Sequence, residues 1–140
     1  MKRERFLLDT NTVLYALFDP QELDRVSSAI FARHVDDFFV STASVREIIH
    51  LHKRGRIKPR VKLTAEILAM CEKMGFKWLP VNREHLRAYA EMTVAPHHND
   101  PNDHIIIAQA IVEQMTLISS DNQFDFYTRQ KLRLLFNRRG

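Results

Sequence analysis

Four short, strongly apolar runs punctuate the chain: FLLD (6–9), FFVS (38–41), FKWLPV (76–81) and TLIS (116–119). Between them lie longer stretches whose apolar residues recur at helical spacing. Short apolar runs without polar alternation suit strands buried on both faces, and interleaved helices supply the cover. The pattern therefore predicts an α/β fold, a three-layer α/β/α sandwich around a central, mainly parallel sheet.

The helices are expected at 10–18, at 22–34 with Leu23, Val26, Ile30 and Phe31 on one face, and from a Ser44 cap to a stop at Gly55. A further helix is expected over 62–74, with Leu63, Ile67, Leu68 and Cys71 inward. Asn82 caps another that runs to about Met92, and a polar loop over 95–102 precedes a helix from Asp103 to Met115. No element is assigned beyond Gln123. The 140 residues, 45% of them hydrophobic, are enough for one domain with a real core, and no repeat or low-complexity tract divides them, so 1–140 reads as one unit.

Several function classes fall away on composition. No stretch approaches the roughly 20 apolar residues that a membrane span needs, and the N-terminus MKRERFLLDTN lacks the apolar core of a signal peptide, so a cytoplasmic location is expected. With one cysteine, Cys71, neither an intrachain disulfide nor a cysteine-based metal site forms. The net charge is +4, and its distribution says more. Lys53, Arg54, Arg56, Lys58, Arg60 and Lys62 cluster together, and Arg129, Lys131, Arg133, Arg138 and Arg139 gather near the end. Phosphate backbones suit such clusters, and so does plain solvent.

In a parallel sheet the loops converge, and helix N-termini point, at the carboxyl ends of the strands. Four acids fall on that edge. Asp9 closes the first strand, Glu47 follows the second, Asp103 opens the helix after the polar loop, and Asp121 comes directly after TLISS. Each has a structural reading by itself: Ser44 and Glu47 form an S-x-x-E capping box, Asp103 and Asp121 complement helix starts, and Asp9 suits a turn. Gathered round one crevice, however, carboxylates repel unless cations sit among them. Oxygen donors without cysteine suit Mg²⁺ or Mn²⁺, the ions that commonly support phosphodiester hydrolysis. His97, His98 and His104 raise a zinc alternative, but neighbouring histidines in a loop more often face solvent or orient other groups.

The segments LLDTNTVLYAL, STASVREI, HNDPNDHIIIAQA and LISSDNQF, in this order and at these separations, resemble the PIN-domain family, especially its VapC-type ribonuclease toxins from bacterial toxin–antitoxin pairs. The resemblance spans the chain, and the H-x-D-P-x-D block before an I-A-Q-A helix is its most specific part. It implies that Asp9, Glu47, Asp103 and Asp121 form an acidic metal-binding and catalytic quartet. Asp100, Thr10, Asn11 and Ser120 are secondary candidates: Asp100 orders the loop or caps the helix, while Thr10, Asn11 and Ser120 support the site. Two departures stand out, since the branch usually has an aromatic at the position of Asn102 and an arginine at that of His104.

What the resemblance implies about function is a Mg²⁺- or Mn²⁺-dependent endoribonuclease that leaves a 5′-phosphate and a 3′-hydroxyl. Its partners would be RNA, held by Lys53, Arg54, Arg56, Lys58 and Arg60, a small antitoxin covering the acidic crevice, and a second copy in a homodimer. The rival reading is a non-catalytic module that binds RNA or protein, its acids serving as caps. A phosphotransferase with Asp9 as nucleophile fits less well, because Asn11 stands where a second aspartate belongs.

Overall fold

The computed structural model describes residues 3–57 and 61–139. Its centre is a five-stranded sheet in the order β3-β2-β1-β4-β5, with every neighbouring pair parallel. The strands are β1 (Phe6–Leu8), β2 (Phe38–Ser41), β3 (Lys77–Leu79), β4 (Thr116–Ser119) and β5 (Arg133–Phe136). Among the described residues six α-helices flank it: α1 (Thr10–Phe18), α2 (Arg25–Arg33), α3 (Thr42–Lys53), α4 (Ala65–Lys73), α5 (Arg83–Glu91) and α6 (Pro101–Glu113). The α/β/α sandwich expected from the strand–helix alternation is the fold observed.

The sheet separates two cores, as the alternation of side chains along a strand requires. Leu7 and Leu117 join Ile105, Ile106, Ile107, Ala110, Phe124 and Tyr127 on one face. Phe6, Leu8 and Ile118 join Val13, Val45, Ile48, Ile67 and Cys71 on the other. Burial pushes the Cys71 thiol up to about 11, which makes this cysteine an inert core residue.

Several boundaries differ from expectation, and each difference has a local cause. Ser41, not Ser44, caps α3, its hydroxyl accepting the Ala43 N–H at 3.0 Å. Glu47 therefore sits in the second turn, and there is no Ser44–Glu47 capping box. Helix α6 begins at Pro101, whose fixed φ suits a first helical position, and Asp100 caps it by accepting the Asn102 N–H at 2.9 Å. Asp103 thus lies inside the first turn rather than opening the helix. That helix also stops earlier than Met115, because Gln114 turns left-handed at φ 56°.

Amphipathic spacing overextended two other helices. Helix α4 starts only at Ala65, and Leu63 and Leu68 are 66% and 38% exposed instead of inward. Helix α2 is capped by Asp24 and leaves Val26 57% exposed. Beyond Asp121 the chain forms a 3-10 helix over Asn122–Gln130 and then β5, which adds a fifth strand at the sheet edge beside β4.

Candidate metal centre

Chain topology brings four elements to the carboxyl edge of β1 and β4. Asp9 follows β1 and caps α1, Glu47 projects from α3, Asp103 from α6, and Asp121 follows β4 and caps the 3-10 helix. These four line one cleft of about 160 Å³ together with Thr10, Asn11, Leu51 and Asp100. Five of the eight lining residues are carboxylates and none is cationic. The structural readings of the single acids hold in part: Asp9, Asp100 and Asp121 are caps, yet their side chains also line the cleft.

Asp9 is the most tightly held of them. Its Oδ1 accepts the Thr12 N–H at 2.9 Å and lies 2.6 Å from the Thr12 hydroxyl. Its Oδ2 accepts the Ser119 hydroxyl at 2.6 Å, and Ser119 Oγ in turn accepts the Asp121 N–H at 3.0 Å. Burial raises the Asp9 pKa, the Ser119 and Thr12 hydrogen bonds oppose that rise, and the Asp121 charge adds to it. Glu47, by contrast, has no hydrogen-bond or ion-pair partner among the described residues.

Asp103 is pushed up to about 8, first by burial and then by the charges of Asp100, Asp9, Asp121 and Glu47. Like charges at one cleft disfavour ionisation of the most enclosed member, and a cation reverses that preference. The Thr10 hydroxyl, buried in the same lining, has no hydrogen-bond partner among the described residues. Crowded hard oxygen donors, a hydroxyl without a described partner and no cationic side chain among the described lining residues together fit a hard divalent cation.

Two histidines to which the sequence assigned no definite role stand behind this cleft. His98 is 2% exposed, its Nε2 3.1 Å from Asp103 Oδ2 and its Nδ1 2.7 Å from the Tyr127 hydroxyl. Burial lowers the His98 pKa, with Asp121 and Asp100 opposing. Donor atoms of His98, Asp103 and Asp121 lie within 4.8 Å of one another. His104 is buried too: its Nε2 lies 2.8 Å from the His98 carbonyl and its Nδ1 3.2 Å from the Tyr89 hydroxyl. Only His97 of the three is exposed, at a left-handed φ of 67°. The sequence signal was the crowding of histidines beside D-P-N-D, and nothing in it said which would turn inward.

Other expectations are met unevenly. Phe124 and Tyr127 are fully buried and pack in the core with Leu7 and Leu117. Ser120 lies outside the acidic lining; its hydroxyl accepts from Asn137 Nδ2 at 2.8 Å, and Ser119 is the serine that touches an acid. Asn102 accepts from Arg46 Nη2 at 3.0 Å, which brings a guanidinium to the rim beside Glu47. Lys53, Arg54 and Arg56 are exposed past the cleft, with Lys53 about 9 Å along the helix axis from Glu47. Lys58 and Arg60 lie outside the described residues.

A parallel α/β sheet with carboxylates from four elements meeting at its carboxyl edge defines a class of α/β protein built round an acidic, oxygen-donor cleft. Within that class the chain belongs to the PIN domain family, whose sequence pattern matches residues 6–129. Solved structures of like fold include a chain of the DNA-bound VapBC complex from Salmonella typhimurium. It has TM-score 0.68 and 14% identity, with 96% of this chain and 98% of that chain covered. A chain of FitAcB from Neisseria gonorrhoeae has TM-score 0.64 and 21% identity, over 94% of this chain and 96% of that one. A chain of a toxin–antitoxin complex from Klebsiella pneumoniae has TM-score 0.54 and 16% identity, over 84% and 88%. No curated protein matches the sequence.

Proposed function

We propose that the protein is a Mg²⁺- or Mn²⁺-dependent endoribonuclease acting as the toxin of a type II toxin–antitoxin pair, with residues 1–140 as one nuclease unit. The observation that carries the reading is the cleft lined by Asp9, Glu47, Asp103 and Asp121, with no cationic side chain among the described residues that line it. Membership of the PIN domain family, whose domains are generally nucleases, supports the reaction class. The toxin role is supported by the fold shared with chains of VapBC and of a toxin–antitoxin complex.

Asp9, Glu47, Asp103 and Asp121 would hold the ion and are the residues we assign to catalysis. A bound divalent cation supplies Lewis acidity toward a phosphate oxygen and makes water a competent nucleophile near neutral pH. The chain's own contribution is placement. Ser119 and Thr12 fix the Asp9 carboxylate by hydrogen bonds, and Glu47, with no partner among the described residues, can turn to a ligand. Asp100 orders the start of α6 and so the position of Asp103. Thr10 offers an unpartnered hydroxyl, and Asn11, exposed at the lip, is open to substrate. The products expected from the family resemblance are a 5′-phosphate and a 3′-hydroxyl.

RNA is the proposed substrate, with Lys53, Arg54 and Arg56 as exposed backbone contacts. A small antitoxin would cover the acidic cleft with its C-terminal segment. A homodimer is supported by the apolar groove lined by Ala43, Val81, Leu86, Tyr89 and Ile105, in which Leu86 is exposed. No helix among the described residues is long and apolar enough to cross a membrane, and we place the action in the cytoplasm, where RNA substrates are.

One observation favours the non-catalytic alternative: Asp9, Asp100 and Asp121 all serve as caps. Crystals soaked in Mn²⁺ separate the two readings. Anomalous density between Asp9, Glu47, Asp103 and Asp121 is expected of the nuclease, and an empty cleft at saturating Mn²⁺ favours the binding module.

A further inference from the structure

We propose that His98 is a positioning residue for the Asp103 carboxylate, aligned by Tyr127, and that this relay sets how tightly the cleft holds a divalent cation. The inference rests on the metal-site reading above and names a pair of residues outside its acidic set.

Hydrogen-bond direction carries the argument. The Ala95 backbone N–H can only donate, and it donates to the Tyr127 oxygen at 3.0 Å. The Tyr127 proton is then directed to His98 Nδ1, 2.7 Å away and the one remaining partner of that hydroxyl among the described residues. A neutral imidazole that accepts at Nδ1 carries its proton at Nε2. Nε2 lies 3.1 Å from Asp103 Oδ2, so the ring donates to the carboxylate in the ionised form that a metal ligand must adopt. The chain Ala95 N–H to Tyr127 to His98 to Asp103 runs one way, from a backbone amide to an acid.

The ring is held from several sides. The His98 N–H donates to the Ala95 carbonyl at 3.1 Å, closing a turn with Pro96 second and His97 third, at positive φ as a type II turn demands. Its carbonyl lies 2.8 Å from His104 Nε2, and its ring packs at 4.7 Å and 5.7 Å, centre to centre, against His104 and Phe124. A side chain so enclosed has one orientation, and it imposes that orientation on the single Asp103 oxygen it touches. Asp103 Oδ1 remains available to a cation. A direct role for His98 as a ligand conflicts with this geometry, because Nε2 is already committed to Asp103.

Partners that orient a ligating group typically change metal affinity by about 10–100-fold when removed. The test is calorimetric titration of Mn²⁺ into the full chain as wild type, Tyr127→Phe, His98→Ala and His98→Gln, each with a thermal melt without metal. His98→Ala is expected to weaken Mn²⁺ binding about 10–100-fold. Tyr127→Phe, which keeps the ring and removes its donor to Nδ1, should weaken it by about 10-fold. His98→Gln, whose amide N–H can replace Nε2–H, should recover most of the affinity even where the melt remains low. Affinity that falls only in step with melting temperature makes His98 merely structural and overturns the proposal. Unchanged affinity in Tyr127→Phe with loss in both His98 variants makes His98 a ligand and also overturns it. A wild type that binds no Mn²⁺ overturns the metal-site reading itself, and the first titration distinguishes that result.

Discussion

Ser119 Oγ lies 2.6 Å from Asp9 Oδ2, tying the end of β4 to the residue that closes β1. The same oxygen accepts the Asp121 N–H at 3.0 Å, so one hydroxyl connects two acids of the cleft through the sheet's central strand pair. Serine suits the position because its hydroxyl donates and accepts at once.

Ser119→Ala should therefore disturb two acids. Removing the donor strips Asp9 of its largest opposing influence against burial and moves its pKa further up. The expected outcomes are a loss of about 1–3 kcal/mol in stability, from leaving a buried acceptor unpaired, and Mn²⁺ binding weaker by about 10-fold. Urea unfolding and metal titration of the variant measure both.

The pH dependence of the metal-free protein follows from Asp103, whose pKa of about 8 exceeds its ordinary 3.8. The folded state holds a proton there that the unfolded chain releases. That contribution to stability is full below the ordinary carboxylate range and is lost as pH rises through about 8. Asp9 acts in the same direction. Melting temperatures without metal should fall between pH 5 and 8, and Asp103→Asn should flatten the trend. Metal binding below pH 8 must displace that proton, so calorimetric heats at pH 7 should vary with the ionisation enthalpy of the buffer.

Asp100 is separable from the four assigned acids. Its Oδ1 caps α6, so Asp100→Ala should cost about 1 kcal/mol and Asp100→Ser almost nothing. Both variants should lower the Asp103 pKa, because Asp100 is the largest charge contribution to its rise. If Asp100→Ser abolishes Mn²⁺ binding, the residue belongs among the ligands. Titration of the two variants and a pH series of melts decide the matter.

The exposed basic residues near the end of α3 predict a salt effect. Replacing Lys53, Arg54 and Arg56 together by alanine should weaken single-stranded RNA binding while leaving Mn²⁺ affinity unchanged. Each cation paired with a phosphate contributes about 0.7 to the salt slope for a single strand, so the slope should fall by about 2. Fluorescence anisotropy at several salt concentrations, on an Asp103→Asn background in which no cleavage is expected, measures it.

The sequence carried the alternation of strands and helices because both faces of a parallel sheet leave apolar runs with little room for anything else. It carried the acids at the carboxyl edge for the same topological reason, and the motif resemblance singled them out. Ends of elements were less legible. Ser41 and Ser44 are equally good caps on paper and both are buried; the chain passes from β2 straight into α3 at Thr42, which leaves Ser41 at the cap. β5 was hidden because RLLF is short, partly exposed and set among basic residues. The His98–Tyr127 contact joins residues 29 positions apart, and no local periodicity encodes it.

Incubating the purified chain with end-labelled RNA in Mg²⁺ or Mn²⁺, beside Asp103→Asn and an EDTA control, tests the central claim most directly. Internal cleavage that leaves 5′-phosphate and 3′-hydroxyl ends, abolished by the substitution and by EDTA while folding is retained, is the predicted result. RNA bound equally by both proteins and cut by neither, across diverse RNA pools with either metal, would contradict the account and leave a PIN fold that binds without cutting.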